Sequence, residues 1–322
     1  MEYKVILDKK DGNLWDITKL VSKATLKFKR VGSCGTLKLN LQNGDVFQST
    51  EFNIEEGDAI TLQTENYNMF RGYVFKNEKD ISTKERTITV YDQVKYLLYN
   101  YSYVFINKKA SEILTQIAKE FKLEIGNIED TNFVIPKLVE DDVKLLDIIV
   151  EALGVTSDNT GMQYCLYDNF GKLELKSVNN MITDFILSDE SHITGGTYSS
   201  DIENSYSRFK IVQDNKDTGK REVYIAENSE LMNKWGILQY FEVAQEGLNP
   251  EQIKQKLNTI AELKSRKTQE LRIKAVGEFV RAGQSIGIIL QEENIKQYFM
   301  IEEVEHSFEG GNVHNMDVTL YI

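Results

Sequence analysis

One short pattern occurs twice in this chain of 322 residues, and that repeat limits the possible folds more than any single motif does. The first copy reads Glu-Gly-Asp-Ala-Ile-Thr-Leu-Gln-Thr-Glu-Asn (56–66), Met-Phe-Arg-Gly-Tyr-Val-Phe (69–75) and Thr-Ile-Thr-Val-Tyr-Asp (87–92). The second reads Ala-Gly-Gln-Ser-Ile-Gly-Ile-Ile-Leu-Gln-Glu-Glu-Asn (282–294), Tyr-Phe-Met-Ile-Glu-Glu-Val (298–304) and Asp-Val-Thr-Leu-Tyr-Ile (317–322). Each copy opens on a glycine, Gly57 or Gly283, placed where the chain must turn before an apolar strand. Ile60 and Leu62 match Ile286 and Ile288 at period two, which puts both members of each pair on one sheet face. Phe70 aligns with Phe299, and Val90-Tyr91 with Leu320-Tyr321. Two similar small β-barrels in one chain point to a symmetric assembly rather than to an enzyme.

The length suggests two or three domains. The chain holds 16 Tyr and 15 Phe, residue types that favour sheets, and only two prolines. No apolar run has the length of a membrane span, and Met1-Glu2-Tyr3-Lys4-Val5-Ile6 opens directly into a strand pattern. The expectation is a soluble product made in the cytoplasm. Cys34 and Cys165 lie far apart without metal-type spacing and are expected to be reduced, unrelated thiols. Formal net charge is −12. Its distribution is uneven: +1 over 1–98, −8 over 99–199 and −5 over 200–322. Such a surplus repels a phosphate backbone, so sequence-specific DNA or RNA binding is disfavoured.

Three domains are expected. Residues 1–98 form a first tube-like β-barrel, with a hairpin at Asp11-Gly12 and a long connection near Asn43–Phe52. Residues 99–199 form a small α+β module. Its first helix carries Ile113, Leu114, Ile117, Ala118 and Phe121 on one stripe, with Ser111 in the first turn as a possible cap. Its second helix covers Val143–Leu153, with Gly154 placed to end it, and a hairpin follows around Asn169-Phe170-Gly171. Residues 200–322 form a second tube-like barrel, with a turn-rich hairpin tip at 215–219. Into this barrel a helix at about 249–268 is inserted, capped by Asn249 with Pro250 at its first position. That helix is expected on the barrel's outside or against a neighbouring subunit. The fold class is thus a β-rich α+β multidomain chain with two barrels flanking a middle module.

Chemistry is sparse. His192 stands in a Ser/Thr/Gly-rich loop. His306 and His314 flank Gly310-Gly311, where they read as exposed residues at a hairpin tip; a metal there would need Glu303 or Glu305 as a further ligand. Asp141-Asp142 and Glu292-Glu293 are carboxylate pairs, each where a charged turn or helix start is expected. No nucleophile elbow, P-loop, zinc-protease pair or dinucleotide fingerprint occurs. Catalytic residues, cofactors and metals are all expected to be absent. The stretch 111–130 is similar to the first helix of LysM peptidoglycan-binding modules, a pattern that any amphipathic helix of this length produces.

Taken in order, these pieces resemble the PBSX-type (XkdQ/YqbQ-like) baseplate hub family of contractile phage tails. The resemblance rests on Glu56-Gly57-Asp58-x-Ile60, Phe70-Arg71-Gly72-Tyr73-Val74 and Thr87-Ile88-Thr89-Val90-Tyr91-Asp92. It continues through the helix 110–121 to Val280-x-Ala282-Gly283 and Tyr298-Phe299-Met300-Ile301-Glu302-Glu303-Val304, and so covers nearly the whole chain. It implies a structural homotrimer without catalysis, in which six barrels from three chains join a sixfold tail tube to a threefold central spike. Expected partners are the tail tube protein, the central spike protein, a LysM-containing baseplate protein and the tape-measure protein. The implied setting is a prophage virion or an R-type bacteriocin particle. Its acidic surplus would suit a channel wall past which DNA slides. The alternative is a peptidoglycan-binding or cell-wall-degrading tail protein.

Overall fold

The computed structural model describes residues 2–41, 53–83, 85–215, 219–244, 248–309 and 313–321. The expected connection at 43–52, the tip at 216–218 and Gly310-Gly311 lie outside the described residues. The chain begins with β1 (Tyr3–Asp8), β2 (Leu14–Asp16), β3 (Val21–Lys29), β4 (Thr36–Leu41), β5 (Ala59–Thr64), β6 (Asn68–Lys79) and β7 (Arg86–Tyr91). The middle holds β8 (Asn100–Lys109), α1 (Ala110–Glu120), β9 (Ile125–Ile128), β10 (Val134–Lys144), α2 (Leu145–Thr160), β11 (Tyr164–Asp168) and β12 (Leu173–Ser177). The rest comprises β13 (Ile182–Ser188), β14 (Ile193–Asp201), β15 (Arg208–Asn215), β16 (Lys220–Glu227), α3 (Ser229–Trp235) and β17 (Gln239–Val243). It ends with α4 (Pro250–Lys264), β18 (Thr268–Val276), β19 (Ser285–Leu290), β20 (Ile295–Glu309) and β21 (Val313–Tyr321).

Both ends of the chain share one 13-stranded sheet. Its first half pairs in the order β1-β5-β6-β7-β4-β3 and its second in the order β13-β19-β20-β21-β18-β14. The two paths are equivalent strand for strand; they differ in that β1 runs antiparallel to β5 whereas β13 runs parallel to β19. The irregularities match as well. Opposite Val90, β6 skips Phe75 between Val74 and Lys76; opposite Leu320, β20 skips Glu302 between Ile301 and Glu303. A second pair of register shifts passes over Ser22 in β3 and Thr194 in β14. Bulges bend a strand and raise its twist, so matched bulges give matched curvature. The turn glycines match too: Gly57 N–H donates to the Val74 carbonyl at 2.8 Å, and Gly283 N–H to the Ile301 carbonyl at 2.8 Å.

These ladders set the alignment of the halves. Phe299 faces Ile286 where Gly72 faces Ile60, so Phe299 corresponds to Gly72, two residues beyond the Phe70 suggested by the sequence. A Cβ on Gly72 would lie 2.8 Å from the Phe70 ring and 2.4 Å from the Tyr91 carbonyl oxygen. The Phe70 ring therefore covers the backbone position that in the other half carries its own aromatic side chain.

The expected closed barrels are not what forms. Among the described residues the ladder stays open, because β3 pairs with β20 instead of returning to its own half. One core runs under both halves, from Val5, Leu26, Leu39, Ile60 and Ile88 to Ile286, Ile301, Val304 and Leu320. The expected boundary at 199/200 falls inside β14, whose ladder with β18 runs from Ile193 to Asp201.

The middle segment has its own core, in which Ile113, Leu114 and Ile117 of α1 meet Ile148, Ile149 and Ala152 of α2. The Glu112 side chain caps α1 by accepting from Lys109 N–H at 2.9 Å, whereas Ser111 is buried against Thr131. The second helix passes Gly154 and ends at Gly161, in the left-handed region at φ 73°. A third core forms where α4 covers β15 and β16, with Ile253, Leu257 and Ile260 against Phe209 and Ile211. Helix α4 also touches α2. It thus packs on a separate three-stranded sheet of its own chain, away from the large sheet, because that small sheet has an apolar face to bury.

Candidate assembly joint and buried polar centre

The joint between the two halves is the antiparallel ladder of β20 and β3, from Glu303↔Lys29 to Glu309↔Lys23. Strand β3 alternates Ala24, Leu26 and Phe28 inward with Thr25, Lys27 and Lys29 outward. Lys23 pairs with Glu309 at 2.7 Å, Lys27 with Glu303 at 2.5 Å and Arg30 with Glu302 at 2.6 Å. The first two pairs are exposed and contribute little energy, but they oppose register slips; Arg30 and Glu302 are more enclosed. The Glu302 carbonyl also accepts from Arg30 N–H at 2.9 Å.

Beside this joint lie His306 and His314, buried in the core rather than exposed. His306 stands on the face of β20 that carries Val304 and Phe308, and His314 on the face of β21 that carries Met316 and Val318. His306 faces Met316 and His314 faces Phe308 across the ladder, so the two rings meet diagonally as expected. The separation of His306 Nδ1 from His314 Nε2 is 2.9 Å, and of His306 Nε2 from the Val280 carbonyl 2.7 Å. This fixes the neutral tautomers: His306 Nε2–H donates to Val280, and His314 Nε2–H donates to His306 Nδ1. His314 Nδ1 then has no hydrogen-bond partner. Burial, reinforced by the facing ring, lowers His306 to about 3; burial lowers His314 to about 4. Glu303 and Glu305 occupy the opposite face of β20, where Glu303 is held by Lys27, so they cannot complete a metal site with the rings.

A second buried cluster ties the first half, the middle segment and the second half together. Asp92 accepts from Gly35 N–H at 2.8 Å and from Val94 N–H at 3.0 Å. Asp168 accepts from Gly171 N–H at 2.6 Å, and its carbonyl accepts from the Arg281 guanidinium at 2.7 Å. That guanidinium lies over the rings of Tyr167 and Phe28, at 4.3 and 5.0 Å from their centroids. Burial raises Asp168 to about 6; burial and the neighbouring Asp168 push Asp92 well up. Two carboxylates with raised values would suit acid/base chemistry, but the space between them is a cavity of about 20 Å³. That volume holds about one water molecule and no glycan. Sequence reasoning missed this cluster, since Asp92, Asp168 and Arg281 share no spacing.

The other candidates stay apart. His192 is exposed in the turn between β13 and β14, 2.7 Å from the Ser191 hydroxyl. Asp141 and Asp142 are exposed in the irregular part of β10, where Ser102 and Asn100 donate to them. Glu292 and Glu293 are exposed in the turn before β20. Cys34 and Cys165 are separate, buried free thiols, pushed up to about 12 and about 11 by burial. Among the described residues no three His, Cys, Asp or Glu side chains group as metal ligands, and no helix is long and apolar enough to cross a membrane. The polar side of α1 lines an open groove of about 470 Å³ with Ser111, Glu112, Thr115 and Lys119.

The YQBQ-like family matches residues 24–321. The chain is 33% identical over 273 residues to the phage-like element PBSX protein XkdQ of Bacillus subtilis (strain 168), covering 84% of this chain and 82% of that protein. Its fold is similar to the 43 kDa tail protein of prophage MuSo2 from Shewanella oneidensis, with TM-score 0.73, 13% identity and 98% of each chain covered. It is also similar to the E. coli c3393 protein, a type VI secretion component described as resembling the T4 tail proteins gp27 and gp5. There the TM-score is 0.59 at 9% identity, with 99% of this chain and 76% of that chain covered. The chain belongs to the YQBQ-like family.

Proposed function

We propose that this chain is a structural baseplate hub of a contractile phage-tail-like particle, a trimeric adaptor between a sixfold tail tube and a threefold central spike. The observation that carries this reading is the internal repeat. Two half-sheets share one ladder order and two bulges, and an edge ladder joins them. A chain that presents two near-equivalent units supplies six of them as a trimer, which reconciles threefold with sixfold symmetry. Relatives named as phage-tail and type VI components support the setting, and with them a virion or tail-particle location. In this reading 1–98 and the chain from β13 onward act as the tube-like units, with the segment between them in sequence as a separate module. Exposed apolar faces, Val104, Ile106 and Val139 on β8 and β10 and Phe241 and Val243 on β17, fit surfaces that meet other tail proteins. The chain's role in this reading is shape, without catalysis.

The test is particle imaging after co-expression of the chain with its tail tube and spike proteins. A threefold density for this chain between tube and spike is expected. A particle in which the chain is absent from the tube–spike junction, or a positive zymogram from the purified full chain, would overturn the reading.

A further inference from the structure

The internal joint has a copy with nothing in it. Strand β14 corresponds to β3, and among the described residues it pairs with β18 alone. All nine of its residues, Ile193 to Asp201, are exposed or half-buried in the described chain, Tyr198 being 40% exposed. The C-terminal part of β6 corresponds to the part of β20 that holds β3. Its ladder with β5 starts at Tyr73, and among the described residues Lys76–Lys79 pair with β7 alone. Long open edges invite pairing with another chain and are normally blunted by charge, proline or cover. Here β14 reads Ile-Thr-Gly-Gly-Thr-Tyr-Ser-Ser-Asp and carries no lysine or proline.

We propose that β14 pairs antiparallel with residues 76–79 of β6 in a second copy of this chain, in the register Lys76↔Asp201, Asn77↔Ser200 and Glu78↔Ser199. This rests on the hub reading and names the edges by which its subunits meet. The register is not free. Matched ladders equate Tyr73 with Met300 and Lys76 with Glu303, and equate Lys27 with Ser199 and Lys29 with Asp201. Transferring Glu303↔Lys29 and Glu305↔Lys27 then gives the pairs above. The chemistry of the transferred pairs is consistent. The Glu303↔Lys29 position becomes Lys76↔Asp201, opposite charges with their order reversed. The Arg30–Glu302 ion pair becomes Ile202 and Phe75, an apolar pair.

Among the described residues, those beside the β6 edge do not obstruct it. Ile54 is buried, and its carbonyl accepts from the Asn77 side chain at 2.7 Å. Its counterpart Val280 is equally buried, and its carbonyl accepts from His306 on β20. That arrangement coexists with β3 on the edge of β20, so its copy leaves room for β14 on β6. Because the contact joins two different edges, it propagates head to tail, and it closes into a ring when the rotation fits.

The test uses particles assembled in cells from the full set of tail proteins. Glu78→Cys with Ser199→Cys, treated with a short thiol cross-linker, should give two- and three-chain species on a denaturing gel. Glu78→Cys with Ser200→Cys, whose side chains lie on opposite faces, should give less than about one-tenth as much. The native thiols are buried and give no background. Threefold particles with no cross-link in the first variant would overturn the edge pairing and leave the hub reading standing; absence of threefold particles would remove both. If the cysteine variants do not fold, the charge swap decides. Lys76→Asp should lower the assembled fraction about fivefold, and adding Asp201→Lys should restore it. A double variant no better than the single one would overturn the proposal.

Discussion

Acidification should weaken this fold through the buried histidine pair, and the size of the effect follows from its geometry. An unfolded histidine titrates near 6.5, whereas His306 and His314 are held to about 3 and about 4 in the folded chain. A group with a depressed folded value contributes its full stability above 6.5 and loses it as pH falls toward the folded value. At pH 5 each ring stays neutral about 1.5 units below its unfolded value, a loss of about 2 kcal/mol each and about 4 kcal/mol together. Asp168 and Asp92 act in the opposite direction, since burial raises the folded values of both, but they do so alike in any variant that leaves them in place. The double variant His306→Leu/His314→Phe should therefore lose about 4 kcal/mol less than the unaltered chain over this window. What remains in the variant is the gain from the two carboxylates. The baseline shifts because the Val280 carbonyl loses its donor, so the slope with pH is the readout. Denaturant unfolding at 25 °C between pH 7.5 and 5 measures it, followed by tryptophan fluorescence, to which Trp15, packed against the same core, contributes beside Trp235. Stability curves of the two proteins that run parallel within about 1 kcal/mol would refute the assignment of buried, neutral rings.

The two turn glycines make a matched pair for mutation. Both have φ near 90°, but a Cβ on Gly57 meets nothing whereas one on Gly283 would lie 2.5 Å from Cys165 Sγ. Gly57→Ala should therefore cost about 1–2 kcal/mol of backbone strain and Gly283→Ala distinctly more, read as the difference between their unfolding midpoints. Arg281→Ala removes the cation beside Asp92 and Asp168 and should cost about 3–5 kcal/mol; Asp168→Asn in the same background should recover part of it, measured by the same unfolding curves.

Local features of this fold are legible in the sequence and joints between distant segments are not. Turn glycines, alternation in β5 and β19 and the stripe of α1 depend on neighbours a few residues away. The ladder of β20 with β3 links residues such as Glu305 and Lys27, and no periodicity in either strand announces its partner. Bulges at Phe75 and Glu302 are silent for the same reason. The burial of His306 and His314 had a signal: each alternates with apolar residues at period two, and that outweighs their polarity. The end of α2 was hidden because its last turns bury polar groups, with Thr156 and Asn159 donating to the Ala152 and Val155 carbonyls at 2.9 and 2.7 Å. Side chains that satisfy themselves on their own helix look like loop residues in a sequence.

The same comparison of edges bears on when subunits would join. Within the chain, the β20–β3 joint carries three ion pairs and a continuous apolar face of Ala24, Leu26 and Phe28. At the proposed joint between chains, β14 offers Gly196, Tyr198 and Ser200 in those places, with Lys76 and Asp201 as the one charge pair at the transferred positions. Burial of a leucine and a phenylalanine stabilises by about 1.5–3 kcal/mol each, while a serine adds almost nothing. The joint inside each chain thus forms on folding, and the joint between chains is the weaker copy. Three weak joints that close a ring reinforce one another only when all three form together, a condition that a tube end or a spike base imposes by holding subunits side by side. On this logic the purified chain should be monomeric at micromolar concentration and become threefold on meeting either neighbour, whereas Gly196→Ala, whose Cβ would lie 2.5 Å from the Arg272 carbonyl oxygen, should distort β14 and block assembly without unfolding the first half.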